Sequence, residues 1–274
     1  MDRFRFCVWL LGGTACTVLP FSASAQATGT ARLDTPTAVD MAGRLRMLSQ
    51  RTTKAYLQWG QSIAAENARA LLQESVTRFD GQLAALKTFQ PTPLVQASLP
   101  PLESRWTDFK AMLTGTPNRD GAAALYDASE LLQQAAHRTT LAYANATGSP
   151  QDHLIGIAGR QRMLSQRMAK FYLYRAWELN DAAADMELHL SRAHFTAVLN
   201  QLDSSHHLPP LAKATTARVR RAWEPYQKAL FASKEPALLR QGAERMVEES
   251  ERVLTATEEL MTLLVAHALG RPQG

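Results

Sequence analysis

The sequence predicts an all-α protein built from tandem four-helix-bundle repeats. The first observation is an internal repeat, because residues 42–51 (AGRLRMLSQR) recur at 158–167 (AGRQRMLSQR) with nine of ten positions identical. Composition is the second, since helix-forming Ala, Leu, Gln, Glu and Arg dominate and Val, Ile and Thr show no strand-type alternation. The third observation is that weaker matches outside this ten-residue block extend the repeat to two whole units. These matches are Phe79 with Phe195, Trp106 with Trp223, and Ser129-Glu130 with Ser250-Glu251.

Proline and glycine clusters divide each repeat into four predicted helices. In the first repeat the helices are predicted over 36–66, 67–89, 98–114 and 119–145. In the second they are predicted over 151–180, 181–204, 210–232 and 235–268. The segment ATGSP at 146–150 separates the units, so the predicted domains are 36–145 and 151–268. Two separate bundles, or one merged eight-helix assembly, satisfy this pattern.

The first 25 residues have the pattern of a cleavable secretory signal. A short basic start precedes an apolar stretch of about 15 residues, and Ala23 and Ala25 form an A-x-A cleavage site. We therefore predict a periplasmic product that begins at Gln26. Retention as an anchor and lipidation at Cys16 are the alternatives. Cys7 and Cys16 both lie in the signal, which leaves the mature chain without cysteine and hence without a disulfide.

Charge and motifs narrow the function classes. The formal net charge is +5, and no basic block or RNA-binding motif occurs, so nucleic acid is not expected as a partner. No H-E-x-x-H, no G-x-S-x-G and no phosphate-cradling glycine loop is present, so we expect neither an enzyme nor a cofactor. His206 and His207 lie in a proline-bounded loop, where solvation is expected rather than a metal site.

The repeated motif has three faces when it is placed on a helix. An apolar stripe is predicted to enter the core: Met41, Leu45, Leu48, Thr52, Ala55 and Trp59. A basic face is predicted to meet solvent: Arg44, Arg51 and Lys54, with Arg160, Arg167 and Lys170. The third face consists mainly of small residues around one arginine. It gives the candidate ligand-binding residues Arg46, Gly43 and Ser49, with Arg162, Gly159 and Ser165.

Two interpretations of Arg46 and Arg162 are open. Each arginine could form an ordinary salt bridge to an acid on a neighbouring helix. Alternatively, its planar guanidinium could bind a small oxyanion in a cleft made by close helix approach. The second is favoured because a glycine inside a helix costs about 1 kcal/mol relative to alanine, so Gly43 and Gly159 need a reason such as close packing.

The motif resembles the signature of PilJ-type domains, the N-terminal sensory domains of type IV pilus methyl-accepting chemotaxis transducers. It is also similar to the periplasmic motif of nitrate/nitrite sensor histidine kinases, which reads approximately A-G-x-L-R-M-x-S-x-R. Residues 42–51 match that pattern, and the second copy departs only at Gln161. The resemblance implies nitrate held between two motif helices across a dimer axis by the central arginines, here Arg46 and Arg162.

Two functional hypotheses follow. In the first, the repeats pack as an intramolecular pseudo-dimer and bind a nitrate- or nitrite-like anion between the motif helices, with relay to a membrane partner. In the second, the chain is an interaction module of an envelope, pilus or chemoreceptor complex and has no small ligand. Family sensors continue into a membrane helix and a signalling module, whereas this sequence stops at Gly274, so a separate partner is expected in either case.

Overall fold

A computed structural model describes residues 33–272, which are almost entirely helical. Within this range there is no β-strand. Its helices are α1 (Thr35–Gly60), α2 (Ala65–Lys87), α3 (Pro93–Ala111), α4 (Arg119–Ala144), α5 (Pro150–Ala158), α6 (Arg160–Ala176), α7 (Asp181–Ser204), α8 (Pro210–Leu230) and α9 (Pro236–Ala268). The predicted signal segment 1–25, with Cys7 and Cys16, lies outside the described residues.

Helix starts follow from capping chemistry. Asp34, Thr92, Asn118 and Ser149 each accept a hydrogen bond from the backbone N–H three residues later. Proline occupies the first turn of α1, α3 and α5, where its missing N–H costs nothing. None of the helices between residues 33 and 272 is both long and apolar enough to cross a membrane.

The first turn between helices comes earlier than predicted. Helix α1 ends at Gly60 and not at residue 66, because Ser62 and Ala64 adopt left-handed φ angles of 59° and 45° that no helix contains. Helix α3 begins at Pro93, five residues before the predicted start, because Thr92 caps it. The sequence interpretation treated the prolines there only as a break.

The second motif helix, predicted as one element over 151–180, is interrupted. Gly159 separates α5 from α6, although its N–H still donates to the Ile155 carbonyl at 2.9 Å. The first copy runs through Gly43 without a break. The second copy carries an additional glycine, Gly156, where the first has Asp40, and two glycines in one turn weaken a helix more than one.

The two motif-bearing helices, α1 and α6, lie at the centre and pack against each other. Helix α4 completes the core on the side of the first repeat, and α9 does so on the side of the second. Leu45, Leu48 and Ala55 are fully buried, which confirms that the apolar stripe enters the core. The two repeats therefore share one core, as in the merged assembly, and not in two separate bundles.

Candidate anion-binding site

The central arginines of both motifs meet where α1 crosses the start of α6. Arg46 and Arg162 are 1% and 0% exposed, so both guanidinium groups are removed from solvent. A Cβ atom at Gly43 would lie 3.2 Å from Nη2 of Arg46 and 3.5 Å from Nη2 of Arg162. The two Nη2 atoms are thus at most about 7 Å apart. The structure brings these two predicted site residues together on either side of Gly43.

Each arginine reaches across to the backbone of the other repeat. Arg46 Nη2 donates to the Gly156 carbonyl at 3.0 Å, and Arg162 Nη2 donates to the Asp40 carbonyl at 3.1 Å. Residues 40 and 156 occupy the same position in the two copies, as Arg46 and Arg162 do. The repeats are therefore related by a pseudo-two-fold axis that passes between the arginines.

The acids around Arg162 satisfy its charge. Its Nη2 lies 2.7 Å from Oδ1 of Asp40, and its Nη1 donates to Oε2 of Glu258 at 3.0 Å. Arg44 contacts the same two carboxylates, at 3.2 Å and 2.9 Å. Burial by itself lowers the pKa of Arg162, but Asp40 and Glu258 outweigh burial and raise it. This half of the centre balances two cations with two acids.

Among residues 33–272, no carboxylate pairs with Arg46. Its Nη1 lies 3.3 Å from Nδ1 of His137, and neither Arg46 nor the neighbouring Arg160 forms an ion pair within residues 33–272. Burial, then the charges of Arg160 and Arg162, lower the pKa of Arg46 to about 9, so it stays charged at neutral pH. Burial and the charge of Arg46 lower the pKa of His137 to about 4, so the imidazole is neutral.

Two substitutions between the repeats produce this asymmetry. His137 stands where the second repeat has Glu258, if the register set by Ser129-Glu130 and Ser250-Glu251 is followed. Gly156 stands where the first has Asp40. Both carboxylates are thereby absent around Arg46, while the guanidinium and its backbone contact are kept. A buried cation with hydrogen-bond donors and no counter-charge is chemically suited to hold a small anion.

The remaining predicted site residues have supporting positions. The Ser49 hydroxyl donates to the Arg46 carbonyl and the Ser165 hydroxyl to the Arg162 carbonyl, both at 2.8 Å, within their own helices. A Cβ at Gly159 would lie 3.4 Å from Nη2 of Arg162 and 3.1 Å from the Ile155 carbonyl. The serines therefore brace the arginine-bearing turns, and Gly159 leaves room for the Arg162 guanidinium.

The predicted solvent exposure of the basic face is wrong. Lys54 and Lys170 are 0% exposed. Lys54 and Arg51 pair with Glu251 of α9, while Lys170 and Arg167 pair with Glu130 of α4. Each repeat thus sends two cations to a glutamate of the other repeat. Long basic side chains look solvent-facing on a single helix, but here a second copy of the repeat covers them.

Both glutamates are held ionised by these contacts. Burial by itself raises the pKa of Glu130 and of Glu251, but the paired lysine and arginine outweigh burial and lower each pKa to about 2. The match of Ser129-Glu130 with Ser250-Glu251 was visible in the sequence. Sequence reasoning missed their pairing with the motif lysines, and it missed Asp40, His137 and Glu258. Comparison of charges at equivalent positions would have found the last three.

The fold and this centre together describe an all-α protein in which two copies of one helical unit share a core around two buried arginines. The family model for the type IV pili methyl-accepting chemotaxis transducer N-terminal domain, PilJ, matches residues 28–141 and again 143–258. The chain therefore belongs to the PilJ family and carries two tandem copies, which confirms the resemblance. The family consists of sensory and signalling domains. No curated protein and no solved structure matches the chain significantly.

Proposed function

We propose that this chain is a periplasmic sensory protein that binds one small oxyanion, such as nitrate or nitrite, beside Arg46. The observation that carries the proposal is the unequal treatment of two equivalent arginines. Arg162 has two carboxylates within 3.0 Å, whereas Arg46 has, among the residues that the structure describes, a neutral histidine and no acid. Arg162 thus forms salt bridges to acids on neighbouring helices, and we assign binding of a small oxyanion to Arg46.

Electrostatics favour an anion at this position. Two like charges about 6 Å apart repel by roughly 3 kcal/mol at an effective dielectric near 20. Arg46 faces both Arg160 and Arg162, but only Arg162 has its charge balanced. An anion accepting from Arg46 would convert the repulsion from Arg160 into attraction. Gly43 would leave the space, and the Ser49 hydroxyl would hold the arginine-bearing turn.

Burial of the site suggests how binding could become a signal. Because Arg46 is 1% exposed, an anion reaches it only when the helices around it part. These helices come from both repeats, so binding would change how the repeats pack. We propose that a membrane or envelope partner detects this change, which is consistent with the chemoreceptor signalling complexes in which PilJ domains act.

Isothermal titration calorimetry with nitrate, nitrite and sulfate tests the proposal. We expect one anion per chain. In the double variant His137→Glu with Gly156→Asp, which copies the acids of the other half, we expect at least a tenfold loss of affinity. Because the same acids are tolerated beside Arg162, this variant should fold, and thermal unfolding checks that it does. Unchanged affinity in the variant would contradict the assignment to Arg46.

The alternative function, an interaction module without a small ligand, makes the opposite prediction for the same titration. None of the three anions would then release heat or raise the melting temperature of the wild-type protein. That result would remove the anion proposal and leave docking to an envelope, pilus or chemoreceptor component as the function of the helical faces.

A further inference from the structure

A cavity of about 510 Å³ lies between the end of α1, the start of α2 and the middle of α9. Gln58, Ile63 and Ala68, all buried, line it together with the half-buried Leu71 and Val247. Glutamates line its exposed edge, among them Glu244 and Glu248. Its volume is within the range of pockets that hold small organic ligands.

The equivalent place on the other side of the pseudo-two-fold axis is filled. Tyr174 and Tyr126 stand where the cavity has Gln58 and Val247, and their rings are in edge contact with centroids 4.9 Å apart. The Tyr174 hydroxyl donates to the Ala122 carbonyl at 2.8 Å. Glu187 stands where the cavity has Leu71 and pairs with Arg167 at 2.8 Å. The cavity therefore exists because Gln58 and Val247 stand in place of this pair of tyrosines.

An unsatisfied polar atom lies at the inner wall. Gln58 is 3% exposed, and its Oε1 has no hydrogen-bond partner. A buried amide oxygen without a donor costs about 1–3 kcal/mol. Several other glutamines share this feature, but among the described residues Gln58 is the one that lines the cavity. Since Oε1 is an acceptor, the missing partner is a group that carries an N–H or O–H.

The charges around the cavity indicate whether this N–H or O–H donor is charged or neutral. Glu251 is already paired with Arg51 and Lys54. Arg252, which also lines the cavity, lies 2.8 Å from Glu249 and 3.9 Å from Glu248. Glu244 forms no ion pair among the residues that the structure describes, which leaves an acid uncompensated at the edge. A positively charged donor is therefore matched to this cavity better than a neutral or an anionic one.

We propose that this cavity binds a small primary amine with an apolar chain. The ammonium group donates to Gln58 Oε1, and the carbon chain packs against Ile63, Leu71 and Val247. The acidic edge attracts the cation and disfavours a carboxylate. This site is separate from the one beside Arg46, and the proposal does not depend on anion binding there.

The test uses the full chain and a series of primary amines from propylamine to hexylamine, with the carboxylate and the alcohol of each length as controls. We expect calorimetry to show binding of at least one amine at millimolar concentration or below. Its matched carboxylate and alcohol should bind at least tenfold more weakly. Absence of binding across the whole amine series, or equal binding of a carboxylate, would overturn the proposal.

The matched variant is Gln58→Tyr with Val247→Tyr, which copies the filled side. Because the same two tyrosines pack on that side, the variant should fold, and it should lose amine binding at least tenfold. Retained affinity would overturn the proposal. Should the double variant unfold, Gln58→Met keeps a side chain of similar length but removes the amide, and should weaken amine binding about fivefold. An unchanged affinity in Gln58→Met would equally contradict the proposed contact.

Discussion

The two halves of this molecule treat the same arginine in opposite ways. Arg162 lies among acids and is neutralised by Asp40 and Glu258. Arg46, at the same position of the other repeat, is just as buried but faces His137 and the side-chain-free Gly156. A duplicated unit can thus keep one copy of a charged centre as a structural ion pair while the equivalent arginine, among the described residues, has no carboxylate partner.

The lysine contacts provide the reference for that comparison, because there the two halves agree. Lys54 meets Glu251, and Lys170 meets Glu130. Both contacts join one repeat to the other and bury the lysine completely. The two repeats therefore agree at the lysine contacts and differ at the arginine centre and at the cavity beside Gln58.

The largest expected effect comes from removal of both acids around Arg162. The double variant Asp40→Gly with Glu258→His copies the Arg46 half and leaves two buried arginines unpaired. Breaking a buried ion pair costs about 3–5 kcal/mol, so we expect at least that loss in the free energy of unfolding. Urea denaturation measures it. Under the anion proposal, saturating nitrate restores part of the loss and the binding stoichiometry rises to two. A loss below about 1 kcal/mol would show that the acids do not compensate Arg162.

Next in size are the two lysine contacts. Glu251→Gln and Glu130→Gln each leave a fully buried lysine without its carboxylate, and each should lower the free energy of unfolding by about 3 kcal/mol at pH 7. Because the contacts are related by the pseudo-two-fold axis, the two losses should agree within about 1 kcal/mol. Chemical denaturation of the two variants side by side checks this. Exposed Glu74, paired only with Arg78 on its own helix, gives the control, since Glu74→Gln should cost under about 0.5 kcal/mol.

A smaller gain is expected when the missing acid is supplied to the other half. His137→Glu places a carboxylate against the uncompensated Arg46, and a hydrogen bond to a charged group contributes about 1.5–3 kcal/mol. Part of this is offset by burial of the new carboxylate, so we expect a net gain of about 1 kcal/mol in the absence of anions. Thermal unfolding in chloride-free buffer measures it. A destabilised His137→Glu protein would argue that Arg46 is already compensated.

The smallest expected effect is the pH dependence from His137. Its pKa in the folded protein is about 4, whereas an unfolded histidine titrates near 6.5. Between these values the unfolded chain binds a proton that the folded chain does not, so stability falls as pH decreases through this window. Because His137 is partly exposed, we expect less than about 1 kcal/mol between pH 7 and pH 5. His137→Gln should remove this part of the slope in denaturation measured across that range.

Much of the fold was predictable because its signals are local or repeated. The ten-residue repeat, the helix formers and the proline clusters gave the helical class, and the family resemblance followed from the motif. The turn through Ser62 and Ala64 was not predictable, since serine and alanine give no signal for a left-handed backbone. The interruption at Gly159 became understandable only beside the unbroken first copy.

The candidate site was predictable in its centre but not in its surroundings. Arg46, Arg162 and Gly43 share one face of the motif, and the structure places them together. His137 and Glu258 come from helices about 90 residues further along the chain and carry no motif. The prediction that the basic face meets solvent was wrong because its partners, Glu130 and Glu251, each belong to the other repeat. Only tertiary packing reveals these contacts.

The position of a small anion in crystals of the wild-type chain would show directly whether Arg46 binds it. Bromide is suitable because its size is close to that of nitrate and its anomalous scattering identifies it. We expect one strong bromide peak at the arginine centre, within about 4 Å of the Arg46 guanidinium on the His137 side, and none beside Arg162. A peak against Arg162, equal peaks at both arginines, or no peak at the centre would contradict this expectation.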